Sequence, residues 1–158
     1  MADYSSQTFL NEKINLPHHN FKIGIVTALW NSAITQKLKE GALKTLESAG
    51  IPSENVSVWD VPGSYELIYG ANKLASQGYD AVICLGVVIQ GETRHFDFIC
   101  DAVANSIANV TIKHNIPVAF GLLTTDNQEQ AEERTGGKHG HKGEEAAWTV
   151  LKLLERES

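Results

Sequence analysis

The chain has 158 residues, with 13 Lys plus Arg against 19 Asp plus Glu, a formal net charge of −6 with histidine neutral. That length fits one domain whose core needs no disulfide or metal support. The acidic balance argues against nucleic acid or an anionic membrane surface as the main partner, because both reward a basic face.

Residues 1–20 carry little periodicity, end in PHHN and read as an N-terminal arm, leaving 21–158 as a single domain. The opening MADYSSQTFL has neither the basic start nor the apolar centre of a signal peptide. FKIGIVTA (21–28) reads as a strand. From Ser32, Ile34, Leu38, Ala42, Leu46 and Ala49 recur at helical spacing, and Gly50 with Pro52 closes the helix. NVSVWDV (55–61) is a second strand, stopped by Pro62 and Gly63. Leu67, Ile68, Ala71, Leu74 and Ala75 mark a helix ended by Gly78.

AVICLGVV (81–88) is apolar on both faces, as a central parallel strand should be. Extended by Ile89, it is about half of the ~20 residues that span a bilayer. The following helix carries Phe96, Ile99, Val103, Ile107 and Val110 on one stripe. PVAFGLLTT (117–125) is a fourth strand. Asp126 with Glu129 reads as a capping box for a short helix that Gly136 ends. A last helix from about Gly143 buries Ala147, Val150, Leu151 and Leu154. Cys84 and Cys100 lie in apolar patterns without CxxC spacing and read as buried free thiols, in keeping with a reducing cytoplasm.

Four strands alternating with helices predict an α/β three-layer sandwich: a four-stranded parallel sheet with helices on both faces and right-handed crossovers. Ligands of such sheets bind beyond the carboxyl ends of the strands. The unusual polar and aromatic residues cluster there. Trp30 follows the first strand, where it either covers the sheet edge or stacks on an aromatic heterocycle. VPGSYE (61–66) follows the second. Its Pro62 and Gly63 force a tight turn, Ser64 suits a helix cap, and Glu66 is either a first-turn charge or an acceptor for ligand hydroxyls.

QGETRHFDFI (90–99) follows the third strand. Gly91, Glu92 and Thr93 lie where a helix presents unpaired N–H groups, a natural phosphate site, provided Glu92 turns its carboxylate away. The dipole alone contributes only ~0.3–1 kcal/mol at an exposed end. Arg94, Arg134 and Lys142 are the available cations. His95 stands at the start of that helix, and histidine is the side chain most often used for proton transfer. KHGHK (138–142), with His18 and His19, raises a metal alternative, but it lacks cysteine or carboxylate help. Its glycines read better as a flexible, anion-wrapping loop. The glycine spacing around Gly91 also fails the dinucleotide pattern GxGxxG.

Taken together, WN (30–31), VPGSYE (61–66), GVVIQGETRHFDFI (86–99), PVAFGLLTT (117–125) and ERTGGKHGHKGEEAA (133–147) resemble lumazine synthase, the family of the penultimate step of riboflavin biosynthesis. The resemblance runs from about residue 21 to the end. It implies a flavodoxin-like sheet in the order 2-1-3-4 and the joining of 5-amino-6-(D-ribitylamino)uracil to 3,4-dihydroxy-2-butanone 4-phosphate. The products are 6,7-dimethyl-8-ribityllumazine, phosphate and water, with no cofactor and no metal. By the same resemblance Trp30 stacks on the pyrimidine and Ser64, Tyr65 and Glu66 hold the ribityl chain. Val87, Val88 and Ile89 line the ring pocket, and Phe120 and Lys142 border it. Glu92, Thr93 and Arg134 bind phosphate, and His95 transfers protons.

Phe120 falls about five residues before its strand ends at Thr125, some 16 Å from the carboxyl edge at ~3.3 Å per residue. A neighbouring subunit is therefore expected to supply it. The resemblance implies a homopentamer, with a 60-subunit shell as a common further assembly. TGGKHGHKG (135–143) has no insertion, like shell-forming members. Leu29, Gln90 and His141 depart from residues frequent in the family, away from the core site positions. The alternatives are a non-enzymatic flavin or lumazine binder on the same fold and a purely structural shell protein.

Overall fold

The computed structural model describes residues 9–16 and 20–157. Strand β1 (Ile23–Ala28) is buried along its whole length. It pairs in parallel with β2 (Val56–Val61) on one side and β3 (Ala81–Ile89) on the other. β4 (Val118–Thr125) completes the sheet beyond β3, giving the order β2-β1-β3-β4. The expected fold class and strand order both hold. The apolar runs explain the centre: β-branched residues on both faces suit a strand covered on both sides.

Alternation along each strand divides the core in two. Ile23, Ile25, Ile83, Leu85 and Val87 face α1 (Ser32–Ser48) and α5 (Lys142–Glu155), where Leu38, Leu46, Val150 and Leu151 meet them. Val26, Ala28, Val82 and Cys84 face α2 (Leu67–Ser76) and α3 (His95–His114), through Leu67, Ala71, Val103 and Ile107. α1 ends at the expected glycine, Gly50, whose φ of 84° costs other residues strain. No helix among the described residues is long and apolar enough to cross a membrane.

The strands are staggered. Pairing of β1 with β3 stops at Thr27 and Leu85, while β3 continues beside β4 to the pair Ile89 and Thr125. Residues 87–89 thus project beyond β1, and the turn after β2 folds into the notch.

Several local expectations change. The short helix α4 (Gln128–Glu132) is capped by Asn127, whose side chain accepts from the Gln130 N–H at 2.9 Å, one residue after the expected Asp126. Gly136 does not end that helix. The presumed loop is instead an antiparallel pair, β5 (Thr135–Gly137) and β6 (Gly140–His141), because Gly136 and Gly140 take positive φ and turn the chain back on itself. His141 then caps α5 through Nδ1, and its ring lies over Gly41 of α1. Part of the expected arm is packed: Leu16 enters the core, the Asn15 N–H donates to Glu155, and Lys152 bridges Glu12 and Glu155. Cys100 is only half-buried, contrary to expectation.

Cys84 is fully buried, and loss of solvation pushes its thiol up to about 12. Keeping the thiol neutral favours the folded state fully below the unfolded value of about 8.5, and this contribution drains away as pH rises toward the folded value. Alkylation at pH 8 followed by mass spectrometry is expected to spare Cys84 in native protein and to modify it in urea.

Candidate active site

Three strand ends converge on a cleft of about 720 Å³. β1 contributes Trp30 and Asn31, the turn after β2 contributes Gly63, Ser64, Tyr65 and Glu66, and β3 contributes Val87, Val88 and Ile89. His95 and Ile99 of α3 close it. Eight of the residues expected from the sequence therefore share one cavity.

Local bonding explains the arrangement. The Leu29 N–H donates to the Val61 carbonyl at 2.8 Å and the Trp30 N–H to the Pro62 carbonyl at 3.0 Å, tying the first turn to the second. Asn31 adopts a left-handed backbone, φ 60° and ψ 48°, immediately before α1. Asparagine tolerates this conformation far better than bulkier residues do. Trp30 is left 75% exposed, so it does not serve as a cover for the sheet edge. Its indole is available as a stacking surface.

Ser64 does not cap the following turn as expected. Its hydroxyl donates to the Val87 carbonyl at 3.3 Å, and Glu66 accepts from the Gly63 N–H at 3.1 Å. Glu66 keeps further acceptor capacity, since a carboxylate offers about four lone-pair sites.

Thr93 and Glu92 are exposed just ahead of α3, and the Thr93 hydroxyl oxygen accepts from the His95 N–H at 3.4 Å. Arg94 is not aimed at an anion site. It turns along its own helix, 3.7 Å from Asp97 and over the Phe98 ring at 5.8 Å. Arg134, another of the cations expected near phosphate, donates to the Gln130 carbonyl at 2.7 Å.

Phe120, Arg134 and Lys142 do not reach the first cleft. They line a second one, about 360 Å³, along the β4 edge with Thr124, Thr125 and Glu145. Phe120 pairs with Cys84, five positions before the end of the β3–β4 ladder, and is 46% exposed. Lys142 pairs with Glu145 at 2.8 Å. Beside this cleft, the hydrogen bond from Lys138 holds the Glu133 carboxyl below the usual range, aided by the charges of Lys138, His139 and Arg134. Thus eleven of the residues expected to form one site fall into two clefts of the chain, while Glu92 and Thr93 line neither.

His18 and His19 of the metal alternative lie outside the described residues. Among the described residues, no three His, Cys, Asp or Glu side chains group as a metal site. His139 pairs with Glu133, and His141 is occupied as a helix cap.

Residues 20–158 match the sequence profile of 6,7-dimethyl-8-ribityllumazine synthase. The chain belongs to the lumazine synthase family. A lumazine synthase of Cytophaga hutchinsonii is 56% identical over 97% of this chain and 96% of its own length. That of Parabacteroides distasonis is 51% identical over 84% of this chain and 83% of its own. That of Flavobacterium johnsoniae is 44% identical over 97% of this chain and 78% of its own. Lumazine synthases are enzymes, so the non-catalytic binder and the purely structural shell are not favoured.

Asn31 and Ile99 are cleft residues that sequence reasoning did not single out. The WN pair was a sufficient signal for Asn31, given its position directly ahead of a helix. Replacing Asn31 by Val is expected to lower stability by about 1–3 kcal/mol through backbone strain, while Asn31→Gly stays within about 0.5 kcal/mol of the native protein. Urea unfolding of the two variants checks this.

Proposed function

We propose that the two clefts are halves of one active site, completed where two copies of the chain meet. The first receives 5-amino-6-(D-ribitylamino)uracil, and the second brings the residues that border the ring and grip the phosphate of 3,4-dihydroxy-2-butanone 4-phosphate. The observation carrying this reading is the separation itself. Trp30, Glu66 and His95 line one cleft while Phe120, Arg134 and Lys142 line another.

In this reading Trp30 stacks on the pyrimidine and residues 87–89 line its edge. Ser64, Tyr65 and Glu66 bind the ribityl chain through backbone groups and the Glu66 carboxylate. Glu92 offers its N–H, Thr93 its N–H and hydroxyl, and Arg134 of the neighbouring copy its guanidinium to phosphate. Lys142 and Phe120 of that copy close the ring pocket. His95, exposed at the mouth of the first cleft, hands protons to and from the reacting groups. The 5-amino group attacks the ketone and the adduct loses water to give an imine. Phosphate leaves by elimination, the resulting enol rearranges to a ketone, and the ribitylamino nitrogen closes the new ring on that carbonyl with loss of a second water. Each step moves protons and involves no net redox change.

Positioning outweighs acid–base help. Aligning two reactants can supply ~7–11 kcal/mol, whereas a histidine typically contributes ~10²–10⁴-fold. The assembly is a homopentamer working in the cytoplasm. Its subunit contact is supported by a further groove of about 740 Å³ between α2 and α3, which exposes Tyr65, Tyr69 and Ile112 beside the first cleft. Such an apolar surface fits a subunit contact. The uninterrupted segment from 135 to 143 favours closure of pentamers into a 60-subunit shell.

Mixing purified protein with both substrates is expected to produce lumazine fluorescence well above the uncatalysed rate; a background rate overturns the reading. His95→Ala is expected to reduce kcat by ~10²–10⁴-fold and still leave measurable turnover. Arg134→Gln raises KM for the phosphorylated ketone by ~10–100-fold, the scale of a lost charge-assisted hydrogen bond. Sedimentation velocity is expected to show a pentamer or a larger closed assembly, and a monomer with full activity contradicts the shared site.

A further inference from the structure

The Ser64 side chain is almost wholly withdrawn from solvent, at 7% exposure, although it belongs to the wall of an open cleft. Its hydroxyl proton is committed to the carbonyl of Val87, 23 residues away in the chain. That carbonyl lies in the stretch of β3 that runs past the end of β1. The contact therefore does the work of a missing strand at that level of the sheet. It joins the turn carrying Glu66 to residues 87–89, the opposite wall. Gly86 permits the approach: a Cβ there would sit 2.8 Å from the Ser64 Oγ and 3.1 Å from methyl carbons of Leu67 and Leu122.

We propose that Ser64 is a positioning residue, its hydroxyl fixing the spacing between the ribityl wall and the ring wall by bonding the Val87 carbonyl. It does not bind the ribityl chain with its side chain. The bond is long at 3.3 Å, so the spacing is sensitive to anything placed on Gly86. Losing the donor leaves a buried carbonyl unsatisfied, and the strand end or the turn must move to recover a partner. Either movement changes the width of the cleft for every molecule that enters it. A direct side-chain contact would instead be felt only by molecules carrying the ribityl hydroxyls.

This inference rests on the reading of the first cleft as the pyrimidine subsite, and the measurements separate the two. Turnover by the unaltered protein is measured first; its absence sinks that reading. With turnover established, Ser64→Ala is expected to raise KM for the ribityl pyrimidine about tenfold while KM for the phosphorylated ketone stays within about twofold. The inhibition constant of 5,6-diaminouracil, which has no ribityl chain, is expected to rise by the same factor of about ten. An unchanged inhibition constant with a raised KM means direct ribityl contact and overturns the proposal. A lowered melting temperature with both constants unchanged means a packing role alone and also overturns it. Gly86→Ala should reproduce the KM rise with the Ser64 hydroxyl intact. Combined with Ser64→Ala, which vacates the space the new methyl needs, its effect should shrink rather than multiply.

Discussion

The site depends on a mismatch in strand length. β3 outruns β1 by the three residues 87–89, and this overhang leaves a notch at the carboxyl edge of the sheet. A flush sheet would close there with backbone bonds and leave no room for a ligand. Here the turn after β2 enters the notch, and hydrogen bonds from Leu29, Trp30 and Ser64 lace three strand ends together. The cleft is thus built from backbone groups that the sheet itself cannot satisfy, which is why such sheets bind ligands at this edge.

The same sheet explains why the remaining residues lie elsewhere. Phe120 is placed by the β3–β4 register opposite Cys84, deep along the ladder, and β4 is an edge strand with no further neighbour among the described residues. Arg134 and Lys142 follow β4 and gather against that edge through the β5–β6 hairpin. An edge strand invites cover. In this fold the exposed edge, the aromatic ring on it and the cations beyond it form the surface that the proposed shared site assigns to a second copy.

Much of this was legible in the sequence. The two periodicities are clean, so strands and helices could be placed to within a residue or two, and the strand-end rule picked out Trp30, residues 63–66 and His95. What was hidden depends on contacts between distant residues or on backbone conformation. Nothing local to Ser64 says that its hydroxyl serves Val87, and the capping role it suggests is only the nearest alternative. Arg94 reads as a phosphate ligand by position, but Asp97 and Phe98, one turn away on the same helix, draw it off. The glycine- and histidine-rich segment after α4 reads as a loop because its strands are two and three residues long, too short to show alternation. Cys100 sits beside the apolar stripe of α3 rather than on it, a rotation that a run of hydrophobic letters does not convey.

The scattered origin of the cleft, from Trp30 at one end of the sequence stretch to Ile99 at the other, carries a consequence for the life of the chain. No fragment short of the three assembled strands has anything to offer a metabolite. A nascent or partly unravelled molecule lacks the cleft, whereas a ligand that recognises only the native form shifts the balance toward that form. On the proposed reading of this cleft, supply of the pyrimidine in the cell doubles as protection for the catalyst that consumes it.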